Sequence, residues 1–228
     1  MKSLITILEE HKAQFATVVD FSAAQQRLVA MNFTAENSEL SEHYIADINW
    51  FILYVEQKIK NAAAAFGIGG YAENRILYKR FSQFTGEESR SIHLGLDIWG
   101  PAGTKVYAPL GGMVHSFAYN EAEGDYGATI ILQHQIEMVS FYTLYGHLSK
   151  SDIAFLRKGM VITRGQCFGH FGQPNENGNW PPHLHFQIIE DIGMKEGDYP
   201  GVCMPSEKAK YFANSPNPDL ILQLNKYL

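Results

Sequence analysis

Cysteine is scarce in this 228-residue chain, which holds only Cys167 and Cys203, in no CxxC spacing. Two cysteines cannot form a disulfide framework, and they read as ordinary reduced thiols. Positive charge is also short. With 18 Lys and Arg against 24 Asp and Glu, the formal net charge is −6. A nucleic-acid-binding protein needs a basic surface, so nucleic acid is not an expected partner. No apolar run is long enough to span a membrane. The opening "MKSLITILEEHK" offers one lysine and six mostly apolar residues before Glu9 and Glu10, too little for a secretory signal. As written, the chain reads as cytoplasmic. Internal repeats and low-complexity tracts are missing as well.

What is present is ordinary globular material, 46% hydrophobic and 18% charged. Residues 1–66 read as helical. "SLITILEEHKAQFATVV" carries helical periodicity, and so does a longer segment with Tyr44, Ile45, Ile48, Phe51, Ile52, Val55 and Ile59 on one stripe. That helix is expected to run to Gly67, with Gly69 and Gly70 forming a helix stop and flexible joint. "DFSAAQQRLVAMNF" reads as a further short helix. These helices are expected to pack on a β-rich domain spanning residues 70–228. There, short runs of Val, Ile, Phe and Tyr are punctuated by Gly, Pro, Asn and Asp, the texture of a barrel or sandwich. "APLGGMV" and "KGMVITRGQCFGHFG" are spaced like the halves of a sandwich hybrid.

The chemistry sits in histidines. In "NWPPHLHFQIIED", Pro181 and Pro182 force an extended lead-in, so His183 and His185 project from one strand face, roughly 6.6 Å apart at Cα. "SIHLGLDIWGP" holds His93 and Asp97 four apart. In a straight strand these would stand roughly 13 Å apart, so they converge only if the chain bends at Gly95. "YGHL" ends a β-run at His147. A hydrolytic zinc site takes three His, Asp or Glu ligands and leaves a fourth position for water. His93, Asp97 and one of His183 and His185 make such a set; the other histidine, with His147, is free for acid–base work. His115, His134 and His170 read as structural, and His11 and His43 as helix-surface or packed residues.

"HLGLD", "YGHL" and "HLHF", in this order with "PAGTKVYAPLGGMV", "DYGATIILQH" and "LRKGMVITRGQCFGHFG" between them, resemble the M23 family of zinc metallopeptidases, of lysostaphin and LytM type. The resemblance covers roughly residues 70–190, with core motifs in 93–190. It implies an α+β, mainly β chain whose antiparallel sheet core, barrel-sandwich-hybrid-like, carries a surface groove. It implies one Zn²⁺ on His93, Asp97 and His185, with His147 and His183 as the catalytic pair. The implied activity is endopeptidase cleavage of peptidoglycan cross-bridges or stem peptides, which would set the protein in the cell envelope. Some relatives fill the fourth metal position in a latent form with an upstream Asn, and Asn74 lies in that region. Arg75 beside it suits a substrate carboxylate or phosphate, or a salt bridge. Trp180, with Asn179, is a candidate pocket wall.

The chain departs from the family in the acidic "NEAEGDYG" and the elaborated "GQPNENGNWPPH". These leave two alternatives: a cytosolic zinc hydrolase of a small peptide or amide, and a non-catalytic regulatory or binding domain.

Overall fold

The computed structural model describes residues 2–228, with Met1 outside them. Helix α1 (Leu4–His11), capped by the Ser3 hydroxyl, precedes strand β1 (Leu28–Met31). Helices α2 (Glu42–Ala46) and α3 (Ile48–Asn61) lead into β2 (Phe66–Gly69). Then come β3 (Ile92–His93), β4 (Leu96–Trp99), β5 (Lys105–Tyr107), β6 (Gly112–Asn120), β7 (Gly127–Ile136) and β8 (Val139–Leu148). Strands β9 (Val161–Ile162), β10 (Cys167–His170), β11 (His183–Ile189) and β12 (Val202–Cys203) precede short helices α4 (Lys208–Asn214) and α5 (Asp219–Leu222).

Eight strands share one mixed sheet in the order β1-β2-β4-β11-β8-β7-β6-β9. Its body is antiparallel; β1 and β2 pair in parallel at one edge. Strands β5 with β10, and β3 with β12, form two small ribbons. The sheet alternates as its sequence does. On β11, Leu184, Phe186 and Ile188 enter a core shared with Ile98, Tyr145 and, from the chain ends, Leu4, Leu8, Ile221 and Leu222. Among the described residues, no helix is long and apolar enough to cross a membrane.

Three expectations for the N-terminal region need correction. "DFSAAQQRLVAMNF" is not a helix: Leu28–Met31 is a strand, because its apolar residues find a partner in Phe66–Gly69. Gly67, Gly69 and Gly70 are not a flexible joint. Gly67 and Gly69 lie in buried β2, and a Cβ on Gly67 would meet Met31 Cγ at 2.7 Å. The long helix is two, because Asp47 accepts from the amides of Asn49 and Trp50 and starts a new one. Its end comes at Ala63, left-handed at φ 47°, where Ala63 N–H reaches Lys60 and Ala64 N–H reaches Ile59, a Schellman closure made without glycine. Tyr44 is therefore off the buried stripe, stacked in the open on Trp50, which stacks in turn on Tyr54.

Candidate active site

The face of β11 opposite the core carries His183, His185 and Gln187, all buried. Register places His185 across from Asp97 on β4 and from Gly146 on β8, and His183 across from Trp99. His93 arrives from β3 after the chain bends at Gly95. Gly95 is required for space as well: a Cβ there would lie 2.4 Å from His185 Cε1.

Three donor atoms meet. His93 Nε2 is 3.0 Å from His185 Nδ1 and 3.2 Å from Asp97 Oδ1, and His185 Nδ1 is 3.1 Å from Asp97 Oδ1. A tetrahedral zinc with bonds of about 2.0–2.1 Å spaces its donors roughly 3.3–3.4 Å apart. The triangle thus matches one face of a zinc-sized site to a few tenths of an ångström. His93 Nδ1–H donates to the Gly70 carbonyl at 2.9 Å, which leaves the Nε2 lone pair facing the other donors. Burial, with the Arg75 charge nearby, pushes His93 down to about 4, so the ring is neutral near pH 7. Burial alone would raise the Asp97 carboxyl. The Arg75 guanidinium, paired with it in the same buried site, holds it well below the usual range instead.

Arg75 braces this carboxylate. Its guanidinium is buried, reaching Asp97 Oδ2 at 2.5 Å and Glu73 Oε2 at 2.7 Å. Gly69, opposite Asp97 in the sheet, leaves it room: a Cβ there would stand 2.7 Å from the Arg75 guanidinium.

His147 and His183 stand beside the triangle with ring centroids 4.1 Å apart. A β-bulge aims His147 there. Ala128 pairs with Leu148 and Ile130 with Tyr145, so Thr129 alone faces both Gly146 and His147. His147 adopts a left-handed backbone, φ 61°, held by its amide on the Tyr126 carbonyl. Its Nδ1–H donates to the Asn177 carbonyl at 2.8 Å, and His183 Nδ1–H to the Pro181 carbonyl at 2.7 Å. The His183 ring stacks on Trp99 at 3.9 Å. Burial pushes His183 down to about 4; burial and then the neighbouring His183 push His147 well below its ordinary value. Both Nε2 atoms are proton acceptors.

A cleft of about 220 Å³ reaches these residues. Trp180 lines it, as do Tyr78, Phe84, Arg90, Tyr126 and Asp198. Asn74 is not brought to the triangle: it is exposed, bridges Ile92 through its backbone, and lines a different hollow. Asn179 turns away to bond Glu123. Among the other histidines, His134 is buried against Gly111 and Thr143, His170 pairs with Asp152, and His11 with Glu137.

Sequence reasoning missed Tyr126, whose hydroxyl is 3.4 Å from His185 Nε2, and Asn177, which is fully buried. It also missed the Gly70 carbonyl and Gln187. For Gln187 a signal existed, since it continues the period-two face that already held two histidines. For a backbone carbonyl there was none.

Two imidazoles and a carboxylate poised around one point, with two bare-Nε2 imidazoles alongside in a cleft, are the parts of a hydrolytic metal centre. Residues 91–197 match the sequence model of Peptidase family M23. It is 28% identical over 115 residues to an L-Ala–D-Glu endopeptidase of Bacillus subtilis (strain 168), covering 48% of this chain and 33% of the relative. It is 28% identical over 97 residues to the peptidoglycan DD-endopeptidase ShyC of Vibrio cholerae, covering 42% and 20%. The chain thus spans a third or less of these relatives' length. A zinc-containing peptidase from Vibrio cholerae aligns in structure with 28% identity, 43% and 27% coverage and a TM-score of 0.35.

Proposed function

We propose that the chain is a zinc-dependent endopeptidase that cleaves amide bonds in the cross-bridge or stem peptides of peptidoglycan. The observation that carries this is the donor triangle of His93, Asp97 and His185, closed to 3.0–3.2 Å beside the His147–His183 pair. The names of the two relatives, both endopeptidases and one of peptidoglycan, support the substrate class. On this reading the protein acts at the cell envelope rather than in the cytoplasm.

His93 through Nε2, Asp97 through Oδ1 and His185 through Nδ1 would hold the ion. Bound zinc supplies a Lewis acid, which acidifies water and polarises the scissile carbonyl. The protein's own groups handle the proton. With their Nδ1–H groups bonded to carbonyls, neither His147 nor His183 can donate from Nε2 until that atom has gained a proton. One Nε2 therefore takes the proton of the attacking water, and the resulting N–H then donates to the developing oxyanion or to the leaving amine. The Asn177 and Pro181 carbonyls stabilise the imidazolium while it lasts. Trp99 and Trp180 wall the pair from bulk water.

Metal analysis and digestion test the assignment together. About one zinc per chain is expected in the wild type, with severe loss in Asp97→Ala; unchanged zinc in that variant refutes the ligand set. His147→Ala should keep its zinc and lose roughly 10²–10⁴-fold in turnover of purified peptidoglycan or short cross-bridge peptides. Undiminished turnover refutes the role of His147.

A further inference from the structure

Gln187 is fully buried, and its amide cannot be turned end for end. The amide Nε2 donates to the Pro200 carbonyl at 3.2 Å and to Ser215 Oγ at 3.1 Å. A carbonyl only accepts, so the NH₂ end must face Pro200 and the Oε1 end must face His185 Nε2, 3.0 Å away. On the other edge of the same ring, Nδ1 stands 3.1 Å from Asp97 Oδ1 and 3.0 Å from His93 Nε2. A neutral imidazole has one N–H. Asp97 attracts it to Nδ1, which would block the atom that completes the triangle. Gln187 Oε1 attracts it to Nε2, which leaves the Nδ1 lone pair free.

We propose that Gln187 is a positioning residue that holds neutral His185 in its Nε2–H tautomer and so selects Nδ1 as the atom presented to a cation. Pro200 and Ser215, which fix the amide, lie beyond residue 197, where the family match ends. The C-terminal segment therefore sets the donor end of the centre. The same segment supplies β12, which pairs Val202 with His93, and the Ser215 carbonyl, which accepts from the Tyr71 hydroxyl. The inference rests on reading His93, Asp97 and His185 as metal ligands.

Nitrogen-15 NMR of the histidine rings in metal-free protein, at about pH 9 where imidazole is neutral, reads the tautomer directly. The wild type should show Nε2–H at His185, and Gln187→Leu should shift the population toward Nδ1–H. Zinc affinity, measured by chelator competition, should fall about 10–100-fold in Gln187→Leu. Gln187→Glu, which keeps an acceptor at His185, should retain the wild-type tautomer and most of the affinity. Should Gln187→Leu fail to fold, Ser215→Ala loosens only the amide's anchor and should give a smaller loss in the same direction. An Nδ1–H ring in the wild type, or a Gln187→Leu protein with unchanged tautomer and affinity, overturns the proposal. Normal zinc in Asp97→Ala would instead overturn the ligand reading beneath it, which keeps the two failures distinct.

Discussion

Replacing Gly95 with alanine adds one carbon, and the structure says where it goes. The new Cβ would lie 2.4, 2.6 and 2.9 Å from His185 Cε1, Nε2 and Nδ1. Ordinary carbon contacts begin near 3.5 Å, so the ring must withdraw by about 1 Å. It cannot do so cheaply, because Gln187 and Tyr126 already stand against it at 3.0 and 3.4 Å. Gly95 lies outside the left-handed region, so alanine adds no backbone strain there and the effect is steric. Metal–ligand distances tolerate about ±0.2 Å, and a shift of this size removes His185 from the set. Zinc affinity should fall at least about 100-fold, or about 2.7 kcal/mol. Overpacking should cost the metal-free fold about 1–3 kcal/mol. Chelator-competition titration measures the first effect and urea unfolding the second. Gly111→Ala, where an added Cβ meets its nearest atoms at 3.7 Å, is the control and should bind zinc normally. A Gly95→Ala protein that binds zinc within about threefold of wild type would refute the packing of His185 against this turn.

Arg75→Met should destabilise the metal-free protein by about 3–5 kcal/mol in urea unfolding, because Asp97 and Glu73 lose their buried counter-charge. Zinc should stabilise this variant more than the wild type, since the ion restores a cation beside Asp97; equal stabilisation would count against it. His134, away from the site, has burial pushing it down to about 4. Its folded pKa lies below the unfolded value of about 6.5, so the unfolded chain binds the extra proton and stability falls as pH drops from 6.5 to 4. His93, His183 and His147 act in the same direction. In metal-free protein, His134→Phe should flatten the slope of unfolding free energy against pH in that window by up to about 1.4 kcal/mol per unit, and an unchanged slope would show that His134 titrates normally in the fold.

The donor triangle was legible because strand alternation and one glycine are local signals. His183 and His185 had to share a face, and Gly95 had to allow the turn that joins His93 to Asp97. The choice between His183 and His185 as ligand candidate was not a matter of spacing; it came from resemblance, and in the structure it is His185 whose Nδ1 stands 3.0–3.1 Å from His93 and Asp97. The N-terminal strands were hidden by a different physics. Phe66–Gly69 and Leu28–Met31 look weak alone, and become strands only because each completes the other beside β4. Arg75 read more readily as half of a salt bridge than as a ligand for substrate anions, but its burial between Glu73 and Asp97 is a tertiary fact that its sequence neighbours do not encode.

The parallel pair β1–β2 gives the catalytic unit a boundary different from that of the recognisable motifs. Gly69 pairs with Asp97, and the next carbonyl, from Gly70, orients His93. Removing everything before residue 70 would turn β4, a central strand carrying a ligand candidate, into an unprotected sheet margin. It would also strip the cover from Trp99 supplied by Phe33 and Phe51. A piece that is to keep its centre intact must therefore reach at least from β1 to Ser215, past both ends of the matched stretch at residues 91–197.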